Sequence, residues 1–388
     1  MQINVTLEPL PSHDVLEALW RDLEVLADTA FYTSWTWISS WVRVLPADVT
    51  PKLLIARLDG RVIGLGIVIN GRAKLLKIIQ VQCWYLHATG LATIDELTME
   101  YNGFLVEKDR GGDIMHAMLQ HLLHQTAVGR VEIQLASAQF DAVARQAALA
   151  PVRARSKSVI VRSTSFPSYM VELAQVRASS KGYLSLLSSN TRSQIKRSMT
   201  AYEELGPLIV EEASTIEQAQ AFLKELRKLH GATWLGRGER AGFSFSPTTR
   251  QFHDLLITDG FARGEVQLLR LSAGGQDIGY LYNLVHRGRV IYYQSGLRYG
   301  VLPKHDRPGL VCHTLAITHN SQAGHRCYDF AAGNYRYKDS LCTHKEPQHT
   351  HVFQRDGWLP RLDRNLRTIK AQAHHWRDQA QRWLQRIL

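Results

Sequence analysis

Apolar residues recur at helical spacing over 14–28 and again over 31–45, where Trp37 and Trp41 stand four apart on one face. The pattern then shifts to short runs of strand character at 52–58, 62–70, 75–81 and 97–106. A helical period returns from Asp113 to Thr126 and leads into a strand at VEIQLA. Further on, SLLSSNTRSQIKRSMTAYEEL predicts a basic helix capped by Ser189 or Asn190. Strands follow at 207–212, 265–272, 277–286 and 289–296, with helices from Thr215 to Leu235 and near 308–323. The stretch from Tyr328 to Leu341, YDFAAGNYRYKDSL, opens as a strand and continues as a polar loop.

Two parts of this pattern read alike. KLLIARLDGRVIGLGIVI is a strand, an Asp59-Gly60 turn and a second strand; VQLLRLSAGGQDIGYLYNLV repeats it around Gly274-Gly275. Each is preceded by a helical region bearing aromatics, so the order helix then hairpin recurs. The pattern predicts a duplicated α/β (α+β) architecture with its boundary in 165–180. The expected units are 1–170, 171–360 and a basic C-terminal helix over 361–388.

Composition narrows the class. The 388 residues suggest about two domains, and 45% apolar with 21% charged residues is a globular balance. No run of about 18 apolar residues encodes a membrane span, and MQINVTLEPL lacks the basic and apolar regions of a signal peptide. Four cysteines without a secretion signal read as reduced thiols, hence a cytoplasmic chain. The net charge of +11 points to an anionic partner: nucleic acid, an anionic membrane surface or a phosphate-bearing co-substrate. Much of it sits in 151–200, where Glu172 is the one acid, and beyond Arg361.

Two segments carry candidate chemistry. In the first, a strand ends at Gly296, a loop with Arg298, Lys304, His305 and Arg307 follows, and Pro308 takes a first helical position. Free N–H groups and the dipole of a helix N-terminus can hold a phosphate there. In the second, Lys338 can neutralise a phosphate or carboxylate. Asp329 is either a base or a cap on its own loop; Tyr335 and Tyr337 either donate protons or pack on the core.

These segments resemble the GNAT-type acetyltransferases of the CelD/BcsL group, found with cellulose and exopolysaccharide biosynthesis and similar in architecture to FemAB-like tandem GNAT transferases. The resemblance is carried by SNTRSQIKRSMTAYEELG, Trp234 after a helix, YYQSG, RPGLVCHTLAI and YDFAAGNYRYKDSL. It implies two tandem GNAT-like domains, each a mixed, mostly antiparallel sheet flanked by helices. It also implies acyl transfer from acetyl-CoA or another acyl-CoA to an amine or hydroxyl, without a metal. Arg298, Lys304, Arg307, Pro308 and Gly309 would hold the pyrophosphate, with Gln294 and Ser295 along the thioester. Glu100 and Asp329 would serve as bases and Tyr335 or Tyr337 as the acid, beside Lys338. Tyr101 and Asn102, in what reads as a polar insertion in a strand, would contact the acceptor with Trp234. The GNAT loop pattern Q/R-x-x-G-x-G/A is absent, Arg307-Pro308-Gly309 offering one glycine. FemAB-like relatives take aminoacyl-tRNA, which leaves a tRNA-dependent transferase open, as it leaves a non-catalytic scaffold.

Two motifs stand apart. Cys342, His344, His349 and His351 match no standard zinc spacing and read as surface histidines. Leu362, Leu366, Ile369, Ala373, Trp376, Ala380, Trp383 and Ile387 form a heptad seam among arginines. Packing on its own domain, an anionic membrane surface or a dimer partner would each suit that seam.

Overall fold

The computed structural model describes residues 2–76, 78–97, 99–125, 130–135, 159–239, 242–355 and 357–369; of 130–135, 159–164, 242 and 350 it describes the backbone alone. The N-terminal half runs β1 (Asn4–Pro9), α1 (His13–Leu26), α2 (Trp35–Arg43), β2 (Pro51–Leu58), β3 (Arg61–Leu75), β4 (Ile79–Leu86), α3 (Ala92–Asp95), β5 (Leu105–Val106), α4 (Gly111–His124) and β6 (Arg130–Leu135). The rest runs β7 (Val159–Glu172), α5 (Leu173–Ala178), α6 (Ser189–Glu203), β8 (Leu208–Glu212), α7 (Ile216–Leu235), α8 (Gly242–Phe245), α9 (Pro247–Gly260), β9 (Val266–Ala273), β10 (Gln276–His286), β11 (Arg289–Leu297), α10 (Pro308–Gln322), β12 (Cys327–Ala332), α11 (Arg336–Leu341) and β13 (His344–Arg355). A last helix is described over 358–369.

One mixed, mostly antiparallel sheet joins everything, in the order β1-β2-β3-β4-β6-β13-β7-β12-β11-β10-β9-β8. Either side of its centre the order mirrors itself. β4 and β6 pair in parallel over Cys83–Tyr85 and Arg130–Glu132, just as β11 and β12 do over Arg289–Ile291 and Cys327–Asp329. The closing strands are exchanged: β13 lies beside β6, and β7 lies beside β12. β7 and β13 pair with each other from His344 opposite Met170 to Arg355 opposite Val159. The boundary expected at 170/171 therefore falls inside β7.

The repeat seen in the sequence is present as structure. Asp59 and Gly60 both have positive φ (50° and 83°), as do Gly274 and Gly275 (56° and 84°). This is the geometry of a tight hairpin turn matched to strand twist. Gly64 and Gly279 hold the same place after it, and each admits a helix. A Cβ on Gly64 would stand 2.6 Å from Ile114 of α4, and one on Gly279 would stand 2.9 Å from Cys312 of α10.

Helix starts follow side-chain capping. Ser188, one residue earlier than expected, caps α6; Thr215 caps α7, and Ser246 with Pro247 opens α9. The strand expected at 97–106 is a correction: Leu105–Val106 alone is strand, because Glu100, Tyr101 and Asn102 spend their polar groups on tertiary hydrogen bonds. Arg336–Leu341, read as loop, is a helical turn. One hydrophobic cluster spans both halves, uniting Trp20, Trp37 and Trp41 with Phe252, Leu256 and Tyr282. Each such side chain contributes about 1.5–3 kcal/mol on burial. His351 is buried on β13, a second correction, and its ring stacks with that of His349.

Candidate functional site

Past Ile291 the pairing of β11 with β12 ends, and the two strands part. A cleft of about 1160 Å³ opens along that gap, lined by Tyr292–Ser295 of β11 and Phe330–Gly333 at the end of β12. β11 carries a bulge at this point: Tyr282 pairs with Gln294 and Asn283 with Tyr292, leaving Tyr293 unmatched. Helices supply the remaining walls. α6 contributes Asn190, Thr191 and Gln194 from its first turns, α10 brings Arg307, Gly309 and Leu310 at its N-terminus, and α7 adds His230, Thr233 and Trp234.

Of the residues singled out from sequence, the cleft brings together Glu100, Trp234, Gln294, Ser295, Arg307, Gly309, Tyr335, Tyr337 and Lys338. Glu100 comes from the N-terminal half, on the long loop after β4. Its Oε2 accepts the N–H of Ala332 at 3.1 Å. On the same residue, one peptide further on, Lys338 Nζ donates to the Ala332 carbonyl at 2.6 Å. The turn of α11 makes that reach possible and buries Lys338. Burial pushes the Glu100 carboxyl up to about 7, against the pull of Lys338 and the Ala332 N–H and with a further push from Asp329. Burial lowers Lys338, while Glu100 and Asp329 oppose the fall. The floor of the cleft thus holds a carboxyl poised near neutrality beside a partly desolvated ammonium.

Tyr337 stacks on His313 at 5.8 Å. Burial, ahead of its hydrogen bond to Tyr292, holds its hydroxyl well above the ordinary range, so it keeps its proton. Tyr292 in turn lies 2.8 Å from Ser295 Oγ, giving a line of hydroxyls along the wall. Tyr335 sits at the rim, 59% exposed, with Lys338 Nζ 5.5 Å from its ring centre.

The other candidates lie elsewhere. Asp329 is fully buried beneath the cleft, its Oδ2 accepting from Arg289 Nε at 2.8 Å and the Tyr101 hydroxyl at 2.7 Å, its Oδ1 from the Ala331 N–H at 2.8 Å. Of its two sequence readings, a cap on its own loop describes these contacts. Tyr101 is buried with it, and Asn102 turns away to His87 Nδ1 and the Leu86 carbonyl. Neither faces the cleft, because the segment expected to be strand is a loop. Pro308 is buried at the start of α10, Lys304 is exposed and Arg298 lies outside the lining. Of the expected basic trio, Arg307 alone faces in, bonded to Gln194 Oε1 at 2.9 Å.

Sequence reasoning missed Arg237, whose guanidinium lies 5.5 Å from the Trp234 ring centre, and Arg336, both on the cleft wall. It also missed Tyr32, Asn190 and Gln194. The cap pattern at the start of α6 was the available signal for the last two. Among the described residues no group of three or more His, Cys, Asp or Glu could hold a metal ion.

The parting parallel strands, the bulge beside the split and the helix N-terminus at the gap all lie within one segment, 189–339. Residues 189–339 match the family model described as an acetyltransferase (GNAT) domain. The fold is similar to that of FemX (TM-score 0.54, 9% identity, covering 90% of this chain and 97% of FemX). It is likewise similar to L-PGS from Bacillus licheniformis (TM-score 0.50, 12% identity, covering 93% and 96%). No curated protein is significantly similar to the chain in sequence.

Proposed function

We propose that the chain is an acyltransferase that moves an acetyl or other acyl group from a CoA thioester to an amine or hydroxyl acceptor, in cell-surface polysaccharide assembly. The observation that carries this reading is Glu100, a carboxyl raised to about 7 and facing the cleft where β11 and β12 part. A base of that strength is half ionised at neutral pH and can take a proton from an attacking nucleophile. The N-terminus of α10, with Arg307 and Gly309, suits the pyrophosphate of the donor. The backbone of β11 beyond Ile291, freed from β12, supplies N–H groups for the developing oxyanion.

In the reaction the acceptor's nitrogen or oxygen bonds to the thioester carbon as its proton passes to Glu100. The C–S bond then breaks, the Tyr337 hydroxyl holds the leaving thiolate by a hydrogen bond, and the proton gathered by Glu100 restores the thiol. Lys338 balances the negative charge at the floor, and Trp234 with Tyr335 guides the acceptor. No nucleophilic cysteine is needed: Cys312 and Cys327 are buried, and burial raises both thiols.

Calorimetry with acetyl-CoA tests the donor. Binding in the micromolar to millimolar range, kept in Glu100→Gln while turnover is lost, is the expected result. No heat and no thermal shift at millimolar acetyl-CoA would remove the CoA reading. Salt-sensitive binding of aminoacyl-tRNA in its place would make the chain a tRNA-dependent transferase, the reading that the net charge of +11 favours. Retention of neither would leave a non-catalytic scaffold.

The tail has a place in the same proposal. On the helix over 358–369, Trp358, Leu362, Leu366 and Ile369 are exposed beside Arg361, Arg364 and Arg367. Peripheral contact with an anionic membrane, or with a second copy, suits that face; co-sedimentation with anionic vesicles separates the two. The remaining seam positions, from Ala373 on, lie outside the described residues. Among the described residues no helix is long and apolar enough to cross a membrane.

A further inference from the structure

Beneath the cleft lies a buried polar group that the transfer chemistry does not use. Arg289 on β11 and Asp329 on β12 form an ion pair at 2.8 Å, with both side chains out of water. Such a pair is costly to bury and contributes little net stability, so its position needs another account. Its contacts supply one. Asp329 Oδ2 also accepts from Tyr101, whose hydroxyl lies 3.1 Å from Ser168 Oγ and whose ring lies 5.0 Å from the Arg289 guanidinium carbon. Asp329 Oδ1 accepts the N–H of Ala331, which stands in the left-handed region at φ 58°, where a non-glycine residue is strained. Tyr101 is the residue after Glu100. Ala331 is the residue before Ala332, whose N–H holds the Glu100 carboxylate. One carboxylate therefore grips the two neighbours that fix Glu100, one along the chain and one across the cleft floor.

We infer that Asp329, held by Arg289, is a positioning residue that locks Glu100 against Ala332 and Lys338 through Tyr101 and the left-handed turn at Ala331. The inference rests on Glu100 being the base. The groups that act electrostatically on Glu100 are Lys338 on α11 and Asp329 on β12, and Glu100 acts in turn on Tyr32 and Tyr293. Removing the Tyr101 hydroxyl changes none of their charges, which makes Tyr101→Phe the diagnostic variant.

The test is an NMR titration of the Glu100 carboxyl in isotope-labelled protein, assigned with Glu100→Gln, in wild type, Tyr101→Phe and Asp329→Asn. In wild type the midpoint is expected near 7. In Tyr101→Phe it is expected to fall by about one unit or more toward the ordinary carboxylate range, as Glu100 loosens into the water of the cleft. The pH profile of kcat/KM should move with it, beside the lower melting temperature that loss of a hydrogen bond to a buried carboxylate brings. A wild-type midpoint in the ordinary carboxylate range, or a Tyr101→Phe midpoint equal to that of wild type, overturns the inference. Where Asp329→Asn fails to fold, Tyr101→Phe decides alone. Full transfer activity in Glu100→Gln would instead overturn the base assignment, and the titration would still report whether Asp329 holds Glu100 in place.

Discussion

The two repeats share a strand order and a point where parallel strands part, yet they treat that point differently. In the C-terminal repeat β11 runs on past Ile291 paired with β10 but no longer with β12, and Tyr292–Ser295 line the cleft. In the N-terminal repeat the chain beyond Tyr85 is closed over. His87 pairs with Ile67 through both its backbone N–H and its ring Nε2, and Asn102 ties His87 to the Leu86 carbonyl. Phe104 fills the space above Gly66, where a Cβ would stand 2.7 Å from its ring. The loop after β4 then crosses to the other repeat and delivers Glu100, whereas the loop after β11 turns straight into α10. The mirrored strand order provides two equivalent gaps; one is packed, and its loop forms part of the site in the other.

The largest expected effect breaks the comparison at the crossing loop. Glu100→Gln should lower transfer by about 10²–10⁴-fold with donor binding kept, measured by steady-state kinetics and calorimetry. Equal activity would mean that the N-terminal repeat gives the site nothing chemical. Next come the paired glycines. Gly64→Ala and Gly279→Ala should each destabilise by about 1–3 kcal/mol in denaturant unfolding, since a Cβ meets a packed helix at both places. Gly279→Ala alone should also weaken donor binding, because α10 carries Arg307 and Gly309 at its N-terminus. Loss of donor affinity from both variants would contradict the assignment of a single open gap.

A comparable effect belongs to the plug. Asn102→Leu leaves the His87 ring and the Leu86 carbonyl without their buried partner and should cost about 1–3 kcal/mol, with kcat unchanged. Of the same size, but confined to one side of a pH window, is a change in stability with pH. Glu100 binds its proton more tightly folded, near 7, than unfolded, near 4.5. The folded state therefore holds more protons in that window, and stability falls as pH rises through it. Glu100→Gln removes that loss, so above pH 7 the variant should be more stable than wild type by about 1–3 kcal/mol, and below pH 4.5 it should show no gain. Thermal melts across the window read this directly.

What the sequence made legible was local. Both hairpins could be read because a two-residue turn of Asp-Gly or Gly-Gly sits between apolar runs, and the helices because their periods and caps are intact. Lys338 was singled out by its residue type in a suggestive loop, although the turn of α11 that aims it into the cleft was not foreseen. Glu100 was singled out on a mistaken premise, as a polar insertion in a strand. That loop is fixed by Tyr101, Asn102 and Gln348 across long stretches of chain, which no window of sequence displays. The same holds for Asp329. Its burial and its three donors come from β11, from the turn after it and from the opposite repeat, so a residue that looked like a base is saturated with hydrogen bonds. β7 and β13 escaped notice because their pairing joins residues far apart in sequence.

The exchange of those two strands reaches beyond the sheet. No single cut divides this chain into two self-sufficient pieces: severed after Glu172, each fragment would keep the strand that completes its companion. The pieces would be partners before they were folds, and a protein that seems to be two repeats in tandem is, in its wiring, a dimer whose halves share one chain.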